Sequence, residues 1–424
     1  MYTGENHGNI YMENEHGGLS EEQIKECLAK SVAGRDLKKV LLIPPDITRL
    51  NSGAGLLTAL YYELLKGVHV DVLPALGTHT PMTRDEQSAF FGDEIPEERF
   101  LVHNWRNGVT GIGEVPGEYV REVSGGLMDE PMDVEISNFI LDPSYDLILS
   151  IGQVVPHEVA GMANYTKNVV IGCGGSRFIN QSHMLGAFYG MERVMGKDYS
   201  PVRKVFDYAE EHFISKLPLE YVLTVTVSRG ERTDIIGLYT GKDRSGFTRA
   251  VALSQKHNLI YLDSPVKTCV VWLDEREFHT TWLGNKAIYR TRMAMADGGE
   301  LIILAPGVRG FGEDAENDRL IRKFGYIGKD NILKLCKTEP ELQSNLSAAA
   351  HLIHGSTDGR FSVTYAAGML DRSEVEGVAF KYMPFGEAMR KYNPGELTQG
   401  YNRLADGEEV FFIENPALGL WSVK

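Results

Sequence analysis

The sequence predicts an α/β protein built as two domains. Three observations predict it. The chain has 424 residues, long for one domain. Short apolar runs alternate with segments of helical apolar spacing. Polar motifs directly follow several of the apolar runs, as functional loops do at the carboxyl edge of a parallel sheet.

The elements follow in order. KKVLLIPP (38–45) reads as a buried strand ending at Pro44-Pro45, and GAGLLTALYYELLKG (53–67) as a helix. VHVDVLPALG (68–77) is the next strand, ending at Gly77, and TRDEQSAFFG (83–92) the next helix, with Thr83 and Glu86 placed for a capping box. YDLILSIG (145–152) and KNVVIGCGG (167–175) read as two more strands closing on glycine. LEYVLTVTVSRGERTDIIGLYTG (219–241) is rich in strand formers and suits an antiparallel pair, and FTRAVALSQKHN (247–258) is a helix. The domain boundary is placed at 264/265, giving domains 1–264 and 265–424, with the C-terminal tail a candidate to pack back on the first. The second domain opens with the strand TCVVWL (268–273). A helix NKAIYRTRMAMA (285–296) and a strand GELIILAP (299–306) follow. ENDRLIRKFG and DNILKLCK read as helices, VEGVAFKYMP and EEVFFIENP as strands.

Composition bounds the function. With 43% hydrophobic and 24% charged residues the chain is an ordinary soluble globular protein. A formal net charge of −15 argues against a nucleic-acid partner. Cys27, Cys173, Cys269 and Cys336 lie far apart with no CxxC pair, so neither a zinc knuckle nor a disulfide framework is indicated, and a cytoplasmic location fits. The N-terminus is polar and does not read as a signal peptide. No apolar run reaches the roughly 18 residues that a membrane span requires.

PHEVAGMANYTKNVVIGCGGSRFINQSHM (156–184) is the most informative segment. It offers His157, Lys167 and His183 among small residues and glycines. Histidine moves protons or holds metal near neutral pH; a desolvated lysine is a nucleophile or covalent anchor. Gly161, Ala163 and Gly172 would let a ligand approach the backbone. Two further motifs follow strands: PPDITR, with Asp46 and Arg49, and GTHTPMT, with His79. Asp46–Arg49 could bind a ribose, phosphate or carboxylate, or Asp46 could simply stabilise a turn. His79 alone could be a solvated loop residue, and Lys167 a surface residue flanking a strand. GCGGSRF is neither GxGxxG nor a P-loop, and no HExxH or DxDxDG motif occurs.

Taken in order, PPDITR, ALGTHTPMT, GQVVPHEVAG with its following lysine, His183 and NKAIYRTRMAMADGGELIILAP resemble the nickel-dependent lactate racemase family of 2-hydroxyacid racemases and epimerases. The resemblance implies two Rossmann-like α/β domains with the active site in the cleft between them. It implies a nickel-pincer nucleotide tethered covalently to Lys167, with His183 ligating nickel and His79 and His157 as the acid/base pair. Asp46, Thr48 and Arg49 would contact this cofactor, and Arg49 also the substrate. Inversion at C2 would then run by reversible hydride removal, each enantiomer's hydroxyl meeting a different histidine. Carboxylase/hydrolase, sulfur-transferase and nickel-insertase proteins would be needed for maturation, and protein produced without them would lack the cofactor.

The chain departs from the lactate-type pattern. Those members usually place Gly-Gly-Arg before the lysine; Asn164, Tyr165 and Thr166 stand here. Their tyrosine helix usually continues with glutamine and, three residues further, a lysine; here Tyr289 is followed by Arg290, and Met293 replaces the lysine. The added hydrogen-bonding groups suit a polyhydroxylated substrate. They make Asn164, Tyr165, Tyr289 and Arg290 candidate substrate contacts; Arg292 could supply the positive charge of the displaced lysine, although its place on the helix turns it to another face. The chain thus resembles family members acting as aldonate 2-epimerases between D-mannonate and D-gluconate, with a short 2-hydroxy acid such as lactate as the alternative substrate. A lysine/histidine enzyme without the pincer and a non-catalytic nucleotide carrier are the competing classes.

Overall fold

The computed structural model describes residues 2–6, 8–229 and 232–424. The chain divides into two compact units. One holds the chain up to Tyr189 together with Arg193–Asn258; the other holds Gly190–Glu192 and Leu259–Lys424. The break between Asn258 and Leu259 lies slightly ahead of the expected 264/265.

In chain order the strands of the first unit are β1 (Tyr2–Asn6), β2 (Asn9–Glu13), β3 (Lys39–Ile43), β4 (His69–Val72), β5 (Val109–Val115), β6 (Met132–Ser137), β7 (Leu147–Gln153), β8 (Pro156–His157), β9 (Gly161–Met162), β10 (Leu219–Arg229) and β11 (Arg232–Gly241). Seven form one sheet in the order β1-β2-β11-β10-β7-β3-β4. β4, β3, β7 and β10 run parallel, whereas β10-β11-β2-β1 are joined antiparallel. The sheet is therefore mixed, and the polar N-terminal segment, which shows no strand signal by composition, supplies its edge.

β3 shows why the sheet is buried. Val40 and Leu42 pack into one apolar cluster with Ile24, Leu28, Leu57 and Tyr61 from the helices Glu21–Val32 and Ala54–Leu64. Leu41 and Ile43 pack into another with Phe178, Phe206 and Phe247. The side chains alternate across the pleat, and both faces are covered, so the strand reads as a continuous apolar run.

Thr83 and Glu86 form the expected capping box on the helix Arg84–Phe91. One expected strand is not formed. KNVVIGCGG instead makes the helix Thr166–Val170, and the amides of Ile171, Gly172 and Cys173 turn back to the carbonyls of Lys167 and Val169. A short apolar run carries no periodicity that separates a buried helix from a strand. Its glycines serve packing: a Cβ on Gly174 would lie 1.8 Å from the Val170 carbonyl oxygen.

In the second unit β12 (Leu259–Leu262), β13 (Val266–Trp272), β14 (Met295–Ala305), β15 (Ser362–Ala367), β16 (Lys381–Tyr382), β17 (Gly400–Arg403), β18 (Glu409–Ile413) and β19 (Leu420–Val423) follow. Six form a sheet in the order β16-β15-β14-β13-β18-β17, parallel except for the edge strand β17. The C-terminal β19 pairs with β12 inside this unit. The expected helix 285–296 is shorter, Lys286–Thr291, because β14 begins at Met295 and pairs there with Val266. The expected strand 375–384 is formed only at Lys381–Tyr382 (β16); its first three residues end the helix Arg372–Gly377, started by an Asp371–Glu374 capping box. Among the described residues no helix is long and apolar enough to cross a membrane.

Candidate active site

β7, β3 and β4 are parallel neighbours, so the segments after them leave the same edge of the sheet. Pro45 bridges to Ala75, the Ala75 amide donates to the Pro44 carbonyl, and the Gly77 amide donates to Gly172. This pairing draws PPDITR, GTHT and the segment around Lys167 into one place.

Asp46 is buried and caps the short helix Ile47–Ser52, accepting from the Thr48 amide at 3.2 Å and the Thr48 hydroxyl at 2.5 Å. Its other oxygen lies 2.6 Å from His79 Nδ1. Burial alone would push the Asp46 carboxyl up, but His79, Thr48 and Arg49 outweigh it and hold it below the usual carboxylate range. The ionised carboxylate fixes the proton of neutral His79 on Nδ1 and places the basic lone pair on Nε2.

His157 is set the opposite way. Its Nδ1 accepts from the amides of Val159 and Ala160 at 3.1 and 3.3 Å. Neutral His157 therefore carries its proton on Nε2, which lies 3.6 Å from Glu158 Oε1. The two-residue hairpin of β8 and β9 holds the ring there.

Lys167 sits on the helix Thr166–Val170. Asn168 pins that helix to the sheet edge, donating to the Ile43 carbonyl at 3.1 Å and the Ser150 hydroxyl at 3.0 Å. Desolvation, with the charges of Arg49 and Arg203, lowers the Lys167 amine to about 7, against the opposing pull of Glu158 and Asp46. The amine is thus nucleophilic at neutral pH.

His183 projects from the helix Ser176–Tyr189 and donates from Nδ1 to the Ile179 carbonyl at 2.6 Å. Desolvation lowers it to about 4, with Lys167 adding to the effect and the Ile179 bond and Glu158 opposing it. A neutral imidazole anchored through Nδ1 leaves Nε2 as the nitrogen that could hold a metal. Among the described residues no group of three or more His, Cys, Asp or Glu side chains could hold a metal ion. A metal at His183 would have to bring most of its ligands with it. The Nη1 of Arg49 is buried with no hydrogen-bond partner among the described residues, an orphan donor suited to a phosphate or carboxylate.

The structure thus brings together Asp46, Thr48, Arg49, His79, His157, Lys167 and His183. Of the other expected contacts, Asn164 and Tyr165 pack within the first unit. Tyr165 is buried, stacked on Phe247 at 5.1 Å and tilted against Tyr221 at 4.3 Å. Asn164 is likewise buried and spends its side-chain oxygen on the Tyr165 amide at 2.7 Å. Gly161 and Gly172 accommodate protein backbone rather than a ligand, since added Cβ atoms would meet the Lys197 carbonyl at 1.9 Å and the Asn168 carbonyl at 2.4 Å. Tyr289 and Arg290 belong to the second unit, where the Tyr289 hydroxyl meets His351 Nδ1 at 2.9 Å and Arg290 Nη1 donates to the Gly419 carbonyl at 3.4 Å. Arg292 is a structural clamp, paired with Glu192 at 2.6 Å and donating to the carbonyls of His354 and Ser356. Glu158 and Asn168 were within the singled-out segment but carried no signal apart from adjacency.

The fold and site define an α/β protein with a carboxylate–histidine pair, a second histidine of opposite polarity and a desolvated lysine at one sheet edge. Residues 12–196 match the family model of the lactate racemase N-terminal domain. A lactate racemase from Thermoanaerobacterium thermosaccharolyticum is 26% identical over 240 residues, covering 53% of this chain and 51% of the relative. The chain thus matches about half the length of this curated relative. A crystal structure of a Thermotoga maritima protein superposes with a TM-score of 0.83 at 25% identity, over 97% of this chain and 100% of the other. The lactate racemase apoprotein from T. thermosaccharolyticum superposes with a TM-score of 0.65 at 18% identity, over 96% and 90%, and so shares the fold. The domain match and the relative together support the lactate racemase family.

Proposed function

We propose that this protein is a racemase of a short 2-hydroxy acid of the lactate class, acting with a nickel-pincer nucleotide tethered to Lys167. The observation that carries the proposal is the juxtaposition of the Asp46–His79 pair with an amine lowered to about 7 at Lys167. The similarity to a lactate racemase supports the reaction class.

The residues present fit the cofactor. The Lys167 amine is nucleophilic enough to form a covalent bond, His183 offers Nε2 to a metal, and the orphan Nη1 of Arg49 suits an anionic group. Bound there, the group would supply a reversible hydride acceptor. The chain's own residues handle the proton. His79, held by Asp46, takes the hydroxyl proton of one enantiomer at Nε2. His157 donates a hydrogen bond to the substrate oxygen from Nε2–H, its Nδ1 being held by the Val159 and Ala160 amides, and Glu158 lies 3.6 Å from the same nitrogen. Arg49 orients the substrate carboxylate. Maturation proteins supply the group before the enzyme is active.

The polyhydroxylated-substrate reading rested on Asn164, Tyr165, Thr166 and Arg290 as added polar groups and on the resemblance to aldonate epimerases. The similarity to a lactate racemase supports the lactate-class reading instead, and the burial of Asn164 and Tyr165 within the protein agrees with it. The test is incubation of matured protein with L-lactate, D-mannonate and D-gluconate in deuterated water. Racemisation of lactate without deuterium at C2 is the expected result. Turnover of the sugar acids alone would restore the aldonate reading. Activity in protein whose Lys167 is unmodified and nickel-free would overturn the cofactor.

A further inference from the structure

Asn164 and Tyr165, immediately before Thr166 and Lys167, both have left-handed backbone, with φ of 64° and 57°. For Tyr165, with ψ of −140°, this is conformational space that side-chain-bearing residues rarely occupy. Something must hold the bend. Arg203, on the helix Pro201–Ala209, is fully buried. Its Nη2 donates to the Met162 carbonyl at 2.5 Å and the Asn164 carbonyl at 3.4 Å. Met162 lies in β9, whose partner β8 carries His157. The guanidinium also lies over Phe247, 4.7 Å from the ring centre, the same ring on which Tyr165 stacks.

We infer that Arg203 is a positioning residue: it locks the strained bend at 164–165 and thereby sets the Lys167 amine relative to His157. Burying a guanidinium without a carboxylate ion pair is costly, and among the described residues Arg203 has none; its Nε and Nη1 also lack hydrogen-bond partners. Packing alone would be served better by an apolar side chain. The carbonyls of Met162, in β9, and of Asn164, at the strained bend, give the charge its use. Arg203 also contributes to the lowered pKa of Lys167, so its charge and its geometry act on the same amine. The importance of Lys167 rests on the proposed function, but the test below reads the amine itself in cofactor-free protein.

The experiment is reductive methylation of purified cofactor-free protein with 13C-formaldehyde, reading the Lys167 signal by NMR against a Lys167→Met control. Arg203→Lys keeps the charge and loses the planar fork. It is expected to stay folded by circular dichroism, yet to label Lys167 about ten-fold more slowly at pH 7 because the amine is displaced. Asn164→Gly, which takes positive φ without strain, is expected to restore most of the rate when added to Arg203→Lys. Labelling of Arg203→Lys at the wild-type rate and midpoint would overturn the inference. So would equal slowing in the single and double variants, since the bend would then not be what Arg203 holds. If Arg203→Lys does not fold, Arg203→Gln is measured in its place against the same two outcomes.

Discussion

Asp46 Oδ2 lies 2.6 Å from His79 Nδ1, with the carboxylate side chain 5% exposed and the imidazole 24% exposed. A buried acceptor thus orients a base that reaches the site. The Asp46 carboxyl is held below its usual range in the folded chain. Its contribution to stability is therefore present above the unfolded carboxylate pKa and is lost as pH falls through the folded value. Asp46→Asn is expected to flatten the acid limb of stability measured by urea unfolding from pH 6 to pH 3, and to lower kcat of the matured enzyme by about 10²–10⁴-fold. An unchanged acid limb would show that the pair is not ionised as described.

The two histidines are set as opposite tautomers, and their loss should not be equivalent. His79→Ala is expected to reduce kcat by about 10³–10⁴-fold and His157→Ala by about 10²-fold, the former removing the oriented base. Racemisation rates measured from each enantiomer check this. Equal losses in both directions for both variants would mean the tautomers do not distinguish their roles.

Lys167 is a stability cost in the cofactor-free protein. Its amine is lowered to about 7 from an ordinary 10.5, so the unfolded chain binds more protons between these values. The cost is full below about pH 7 and disappears as pH rises towards 10.5. Lys167→Met is expected to stabilise the apoprotein by about 1–3 kcal/mol at pH 6, with the gain shrinking towards pH 10. Urea unfolding at both values measures it; a pH-independent gain would argue against a desolvated amine.

His183 is expected to remain neutral at pH 5, with Nδ1 protonated, since desolvation lowers it to about 4. Nitrogen-15 NMR of the imidazoles reads both the tautomer and the titration. In matured protein His183→Ala is expected to lower nickel content by about 10–100-fold in affinity, read by metal analysis after dialysis against a chelator.

The Thr83–Glu86 capping box starts the helix that follows the His79 loop. Thr83→Ala is expected to cost about 1 kcal/mol by chemical denaturation.

The strands and helices nearest the site were legible because their signals are local. β3 is a five-residue apolar run stopped by Pro44-Pro45, and the helix Arg84–Phe91 announces itself by its cap. The parallel order of β7, β3 and β4 brings their following motifs together, as alternating strands and helices suggest. One apolar stretch misled: the run after Lys167 carries apolar character without periodicity, and its tertiary partners made it helical. At 375–384 the Asp371–Glu374 capping box starts a helix that runs three residues into the expected strand.

By itself the sequence determined the residue types that can carry the chemistry and the sheet edge they leave, since both depend on neighbours close along the chain. Only the tertiary structure decided what each residue does there. It put the lone pair of His79 on one nitrogen and the proton of His157 on the equivalent one, through Asp46 and two backbone amides. It turned Tyr165 into the core, and it brought Arg203 beneath the bend before Lys167. Such outcomes depend on burial and on partners far away in sequence, and no local pattern of residues encodes them.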